Sequence, residues 1–297
     1  MKIQNKHLIL LVICAALLGG AVPVFGKIAL SEIPPFNFTF LRFIIATLVL
    51  LPFYLKVRQP IGRDIWKIIG LSFLAMGNVV FFSFGIKQTS AGITQAIYTI
   101  SPILSAIFAY FILKESFNLK KIIGIIVGLV GAMLIVFLPL LENGSSSEAS
   151  LVGNILIVLA TTMVTLHTIF SKPFQRKYHP VEITTFFAIT TVIVLFFFSI
   201  FELQSNINWW HNVSSMGIFG LIYVGSIGTA LYYLLIQYIV KYATPVVASM
   251  TLYIQPFAAI FWAYLFLKET ISLLFVVGIL FALGGVWLTL NSRKSIS

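Results

Sequence analysis

Apolar residues run through this chain in ten blocks, each bounded by a few polar or turn-forming positions. The blocks cover roughly Leu8–Ile28, Phe38–Leu55, Ile65–Ile86, Ala91–Leu113, Ile122–Leu138, Leu151–Phe170, Val181–Phe201, Ser215–Val240, Pro245–Leu267 and Ile271–Leu290. A helix needs about 20 apolar residues to cross the hydrocarbon core of a bilayer. A lone strand leaves its backbone unsatisfied in lipid, and no ten-residue alternation suggests a barrel, so the blocks read as helices. Connections are short and carry Pro34-Pro35, Pro60-Ile61-Gly62 and Lys114-Glu115-Ser116. The longest polar linker runs from Glu142 to Glu148 and divides five blocks from five. The expectation is an all-α integral membrane protein of ten transmembrane helices, with units at 1–140 and 151–297 and an external linker at 141–150.

Composition removes the other classes. Of 297 residues, 60% are hydrophobic and 9% charged, against roughly a quarter charged in a soluble domain. The mean hydropathy is +1.05. Disorder fails for the same reason, and the single cysteine, Cys14, cannot build a disulfide framework. The net charge of +11 lies in small groups between the blocks rather than in a stripe, which reads as topology signal and not as a nucleic-acid surface. With the N-terminus inside, 15 of the 19 Lys and Arg fall on cytoplasmic segments. Lys27, Lys87 and Lys268 are external, and Arg42 lies within the second span. Both termini are therefore expected in the cytoplasm, in an inner or plasma membrane. Lys2 and Lys6 before LILLVICAALLGG also resemble a signal peptide, but an uncleaved first span is preferred because its far end matches the sixth.

An internal repeat is the main signal. At an offset of 154, Pro102 falls on Pro256, Lys114-Glu115 on Lys268-Glu269, Gly124 on Gly278 and Gly131 on Gly285. At an offset of 145, Phe25-x-Lys27 meets Phe170-x-Lys172, Pro35 meets Pro180 and Thr39 meets Thr184; an insertion around Asn206–Asn212 accounts for the change. Because each unit holds an odd number of spans, the second must lie upside down relative to the first. Inverted repeats of this kind characterise secondary transporters, since two mirror-related halves supply inward-open and outward-open states of similar energy.

The blocks FNFTFLRFIIATLVLLPF, SPILSAIFAYFILKESFNLKKIIGIIVGLVGAMLIVF and QPFAAIFWAYLFLKETISLLFVVGILFALGGVWL resemble the EamA family of the drug/metabolite transporter superfamily. The resemblance covers nearly the whole chain as two EamA-like units. Its most specific part is the spacing from Pro102 to Glu115 and from Pro256 to Glu269, each followed by a glycine-bearing span. It implies a ten-helix transporter of small metabolites, often an exporter, with a central cavity between the halves.

Pro102 and Pro256 lie near the middles of the fourth and ninth spans, where each removes a backbone bond and frees the carbonyls of Tyr98 and Leu252. Matching interruptions in two halves point to a binding site, although a kink that only shapes the bundle is the alternative. Thr94, Tyr98, Ser101 and Ser105 form one polar stripe, whose counterparts are Ala248, Leu252, Gln255 and Ala259. Asn78 and Ser83 in the third span correspond to Tyr232 and Gln237 in the eighth. The first span has Gly19-Gly20-x-x-Pro23, and the sixth carries Thr165, His167 and Thr168. Spans 1, 3, 4, 6, 8 and 9 are thus expected to enclose a substrate cavity lined by Asn78, Thr94, Tyr98, Ser101, Pro102, His167, Tyr232, Tyr253, Gln255 and Pro256. For Tyr and Asn a dry hydrogen-bonding role is the competing reading. His167 could bind solute or carry a proton, or be a satisfied packing residue.

No Asp or Glu lies mid-span, so a buried-carboxylate proton carrier has no candidate. Arg42 either snorkels or pairs at the outer interface, the role favoured here, or attracts anionic solutes; its repeat counterpart is Phe187. Lys27, Lys87, Lys172 and Lys241 are expected after helix C-termini, and Glu115 and Glu269 at the starts of the next helices. Gly124-xxx-Gly128 and Gly278-xxx-Ala282 permit close packing, either internally or as a homodimer seam. Trp66, Trp209 and Trp210 read as interfacial anchors. Gly20-x5-Gly26-Lys27-Ile28 only mimics a phosphate loop: the spacing is one too long and no Ser or Thr follows. No zinc spacing or nucleophile–base pair is visible, so no cofactor, metal or enzymatic activity is expected. The partners expected are a small-molecule metabolite and membrane lipid. The reading is a secondary transporter working by alternating access, exporting amino acids, bases or related amphipathic solutes; a non-transporting scaffold on the same fold is the alternative.

Overall fold

A computed structural model describes residues 5–59, 62–113, 119–141, 150–205, 208–243, 247–248, 251–269 and 272–290. Among these the chain is helical, with no strand. Seven helices are long and apolar enough to cross a membrane, and three shorter apolar helices complete the set of ten. α1 runs as Asn5–Gly20 and Val22–Glu32, α2 as Pro35–Val57, and α3 as Ile65–Ile86. α4 runs as Ala91–Tyr98 and Ser101–Leu113, and α5 as Leu119–Val136. In the second half α6 spans Leu151–Ser171 and α7 Pro180–Ser205. α8 runs as Ser215–Gly225, a π turn Ser226–Leu231, and Tyr232–Tyr242. α9 spans Thr251–Leu267 and α10 Leu273–Leu290. The linker residues 142–149, with Glu142 and Glu148, and the pair Lys114-Glu115 lie outside the described residues.

Local chemistry places the helix ends. Ser90, Ser150 and Ser214 sit in extended backbone, and each side chain accepts the N–H three residues on, at Ile93, Gly153 and Gly217. Pro35 occupies the first turn of α2, where its missing N–H has no cost. Carboxylates serve the same orphan donors across the bundle. Glu202 accepts from the Asn37 backbone N–H at 2.7 Å, and Glu32 from that of Ser214 at 2.7 Å.

The helix pairs come in sets that exchange under the repeat. α3 packs on α6 as α8 packs on α1, α4 on α6 as α9 on α1, and α3 on α7 as α8 on α2. α2, α4 and α5 each pack on their own counterparts, α7, α9 and α10. Such self-paired and swapped contacts are what a pseudo-two-fold relation between halves produces. The exterior is apolar: Leu48, Phe53, Phe111, Phe201, Phe257, Leu280 and Trp287 are exposed, while Asn78, Thr161, Gln237 and Gln255 are buried. This is the distribution a lipid-facing surface requires.

The small-residue faces of α5 and α10 meet each other inside one chain, so of the two readings open for them the internal one holds. A Cβ on Gly131 would stand 2.6 Å from the Gly278 carbonyl oxygen and 2.8 Å from the Phe281 carbonyl carbon, and one on Gly285 would stand 2.6 Å from the Gly124 carbonyl oxygen. These are backbone atoms that cannot turn aside.

Two expectations about charges are corrected. Lys27 does not follow a helix C-terminus; it lies within the second segment of α1. Glu269 does not open α10, which begins at Leu273. It reaches instead to the start of α4, accepting from the N–H of Ala91 at 2.9 Å and of Gly92 at 3.2 Å, and pairs with Lys27 Nζ at 3.0 Å. The free N–H groups at the start of a helix draw a carboxylate more strongly than a position four residues ahead of the next helix does. The result ties α1, α4 and α9 together at one end of the bundle. At the opposite end Lys172 Nζ donates to the carbonyls of Val240 and Ala243, capping α8.

Gly131→Ala is expected to cost about 1–3 kcal/mol by overpacking against backbone, read as a lowered Tm in detergent; an unchanged Tm would contradict the α5–α10 seam. Glu269→Gln is expected to speed deuterium uptake at the Ala91 and Gly92 amides, while leaving the Tyr98–Asn78 region unchanged.

Candidate functional site

Between the two halves lies a cavity of about 870 Å³, counted with its open mouth. The expected spans 1, 3, 4, 6, 8 and 9 all contribute to its wall, and α2 adds Arg42. The apolar part is built from Val22, Val79, Phe82, Val164, Ile236 and Leu252, and the polar part from Asn78, Gln95, Tyr98, Ser101, Ser105, Tyr232, Tyr233 and Gln255.

Asn78 on α3 organises the centre. Its Oδ1 accepts from the Tyr233 hydroxyl at 2.6 Å. Its Nδ2 donates to the Tyr98 oxygen at 2.7 Å and to the Ala160 carbonyl at 2.9 Å. Tyr98 therefore receives a hydrogen bond from Asn78 and keeps its own O–H proton to donate. Gln255 Nε2 donates to the Tyr232 oxygen at 3.1 Å, and the Ser101 and Thr165 hydroxyls stand 2.7 Å apart. Gln95 Nε2 donates to the Gly19 carbonyl at 3.2 Å; its Oε1 is buried and without a hydrogen-bond partner among the described residues. Gly19 and Gly20 let α1 approach α8 and α9, since a Cβ on Gly19 would lie 2.7 Å from Tyr232 Cε2 and one on Gly20 would lie 2.6 Å from Ala258 Cβ.

His167 lines the cavity, but both ring nitrogens are engaged with protein. A carbonyl can only accept, so Nδ1 carries the proton given to Leu71 O at 3.1 Å. Nε2 then accepts from Gln237 Nε2 at 2.9 Å, and Gln237 Oε1 in turn accepts from Gln175 Nε2. Of the two readings of His167, this geometry matches the neutral packing residue.

Arg42 does not snorkel to the interface. It is 2% exposed, in the cavity wall, with Nε donating to Thr229 Oγ1 at 2.9 Å. Its guanidinium carbon lies 5.7, 5.5 and 6.0 Å from the ring centres of Phe38, Phe43 and Phe82. Nη1 is buried without a hydrogen-bond partner among the described residues. Thr229 sits in the π turn of α8 and passes its own proton to the Val224 carbonyl, five residues earlier, at 2.7 Å. A guanidinium cannot shed its proton, so desolvation is met by aromatic faces and one hydroxyl rather than by neutralisation.

The described acids are all committed elsewhere. Glu32 and Glu202 cap helices, Glu269 holds the start of α4, and Glu182 accepts from the N–H of Gln59 and His179, both at 2.7 Å. Asp64 pairs with Lys177 at 2.7 Å and with the Tyr178 hydroxyl at 2.9 Å, which holds its carboxyl below the ordinary value.

Other expectations fall differently. Asn78, Tyr98, Ser101, His167, Tyr232 and Gln255 line the cavity; Thr94, Pro102 and Pro256 are buried off it. Thr94 returns its proton to the Ser90 carbonyl at 2.9 Å, the usual retreat of a helix hydroxyl in a dry setting. Pro102 is not a mid-helix kink: α4 breaks at Thr99 and Ile100, and Pro102 stands in the first turn of the second segment. Pro256 stays inside α9. Tyr253 lies on α9, but its side chain is outside the described residues.

Gln95 and Tyr233 join the site without having been singled out. The polar stripe through Thr94 assumed one straight helix, whereas the break re-aims the first segment of α4 so that Gln95 and Tyr98 face inward together. For Tyr233 only its place beside Tyr232 in an apolar span was a signal.

Comparison with known proteins agrees with this architecture. The chain matches the EamA-like transporter family over residues 7–137 and again over 151–291. It is 26% identical to the uncharacterized transporter YdfC of Bacillus subtilis over 268 residues, 89% of this chain and 84% of that one. It is 24% identical to the uncharacterized transporter YoaV of the same organism, over 95% and 97% of the two chains. The WAT1-related protein At3g02690, chloroplastic, of Arabidopsis thaliana is 26% identical over 91% of this chain and 66% of its own length. A crystal structure of a protein 17% identical shares the fold at a TM-score of 0.67, covering 99% of this chain and all of the other. With two family matches spanning nearly its whole length and ten apolar helices around a shared hollow, this chain belongs to the EamA-like transporter family.

Proposed function

We propose that the protein is a secondary transporter that moves a small metabolite across the inner or plasma membrane by alternating access, exporting amino acids, bases or related amphipathic solutes. The observation that carries this reading is the cavity between the halves, polar and aromatic inside a bundle whose exterior is apolar. A protein needing only to be stable in lipid gains nothing from burying Asn78, Tyr98, Tyr232 and Gln255 around empty space, because each buried polar group costs free energy unless it is satisfied.

We read the cavity as inward-facing. Its wall extends on Thr168, Ile236 and Ala248 to within roughly one to two turns of the end where Lys172 caps α8, and on Phe82 and Gln95 to about one turn from the opposite ends of α3 and α4. At the other end the Glu269, Lys27 and α4 contacts lie across α1, α4 and α9. The excess of Lys and Arg supports a cytoplasmic Lys172 end and cytoplasmic termini. Loading from the cytoplasm and release on breaking the Glu269 contacts is the cycle an exporter needs. The repeat supplies the return state, because exchanging the roles of the halves yields a mirror-related closure of similar energy.

The neutral amides and phenols suit an amphipathic solute with hydrogen-bonding edges better than a multiply charged phosphate ester, which would need several buried cations. His167, with both nitrogens engaged, serves the wall rather than a proton path.

In proteoliposomes, saturable flux of at least one member of a metabolite panel is expected, and it should vanish in a Tyr98→Ala plus Gln255→Ala double variant that still folds. Absence of flux across the panel, or flux indifferent to the double variant, would favour the scaffold reading. Tyr98→Phe alone should lower flux by roughly tenfold, the scale of one lost hydrogen bond. His167→Ala should lower the Tm and leave the pH profile of flux between pH 5 and 8 unshifted; a shifted profile would restore His167 as a proton carrier.

A further inference from the structure

We propose that Arg42 is the anion anchor of the cavity, and that the solute it takes is a small organic acid with one carboxylate and an apolar or aromatic body. This rests on the transporter reading of the same cavity and narrows it.

The argument starts from charge balance. Arg42 is 98% buried by its 2% exposure, its Nε is held by Thr229, and Nη1 has no hydrogen-bond partner among the described residues. Among the described residues the cavity wall holds this guanidinium and no carboxylate, and every described acid is engaged by backbone N–H groups or side chains elsewhere. A buried cation without a counter-ion is costly, and breaking such a charge pair typically leaves the residual charge strongly destabilising. Here the missing partner is the ligand: an anion entering the cavity supplies the charge that no side chain provides. Phe38, Phe43 and Phe82 stabilise the guanidinium in the meantime, but ring faces satisfy no N–H donor.

The neighbouring groups agree with a carboxylate. Tyr98, accepting from Asn78, has its own O–H left to give, so the cavity presents a second donor to the same acceptor-rich group. One guanidinium matches one carboxylate in charge and in planar geometry, whereas a dianionic phosphate would leave excess charge in a low-dielectric hollow. Gln95 Oε1 is a lone acceptor, enough for an N–H or O–H on the solute but no counter-ion for a free amine. The remaining wall is apolar and aromatic, which fits the body of the molecule.

The asymmetry of the repeat singles out the same residue. Arg42 has Phe187 as its counterpart, and Thr229 sits in a π turn of α8 whose counterpart stretch in α3 is regular helix. A π turn inside an α-helix is rare and is found frequently at functional sites. Here it presents the oxygen that holds Arg42.

The test uses the full chain in nanodiscs and a panel of monocarboxylates from acetate to indole-3-acetate, each paired with its neutral amide, with aromatic amines as cationic controls. Binding is read by thermal shift and flux by loading proteoliposomes. At least one acid is expected to bind at least about tenfold better than its amide, the scale of a charge-assisted bond. Arg42→Gln should erase that preference and Arg42→Lys should keep part of it. Gln95→Glu, which leaves Arg42 intact but adds an internal anion, should also weaken the acid. Acids and amides binding alike, amines binding best, no acid in the panel binding, or an acid preference that survives in folded Arg42→Gln protein would each overturn the anchor. Arg42-dependent acid binding without flux would overturn the transporter reading and leave the anchor standing; Arg42-independent flux of a neutral solute would do the reverse.

Discussion

Inside a bilayer no water arrives to complete a hydrogen bond, and the bundle is arranged around that constraint. It divides the buried polar side chains into two populations. Thr39, Ser72, Ser83, Thr161, Thr184 and Thr191 return their protons to the carbonyl four residues earlier and become part of dry helix surfaces. Asn78, Gln95, Tyr98, Tyr232, Gln255 and Arg42 cannot satisfy themselves that way, because their reach carries the polar atoms beyond their own helix. They meet across α1, α2, α3, α4, α8 and α9, and the space they share is the cavity. Polar content alone does not mark a site; side-chain length and the failure of local satisfaction do.

The same constraint explains the helix interruptions. At the break in α4 the chain stops one helix and starts another with Ser101 and Pro102, and Ser101 finds Thr165 on α6. In α8 the irregular turn is occupied by Thr229, which accepts from Arg42 and donates to Val224. Both irregular stretches lie beside the cavity, where an extra partner exists for the backbone or hydroxyl that the break releases. The α5–α10 pair, away from the cavity, is regular and closely packed through glycine.

Symmetry and its violation do different work. The exchange-related packing of the halves gives each contact made by one half a counterpart made by the other. Charge departs from that symmetry at Arg42, which has Phe187 as its counterpart in register. The frame is symmetric, while the chemistry at Arg42 belongs to one half alone.

Length of apolar runs, the odd number of spans per unit and the coincidence of prolines, glycines and charges at one offset were enough to establish ten membrane helices in two inverted units, because lipid permits so few alternatives. Five of the expected cavity residues, Asn78, Tyr98, His167, Tyr232 and Gln255, were legible because long polar side chains are rare in apolar spans, and Ser101 because it stands beside Pro102. Which hydroxyl turns back on its own helix, where α4 breaks, that Glu269 reaches to Ala91, and that Arg42 turns inward rather than toward the headgroups were decided only by tertiary packing. Each depends on what a neighbouring helix offers at that depth, and no one-dimensional pattern contains the distance between two helices.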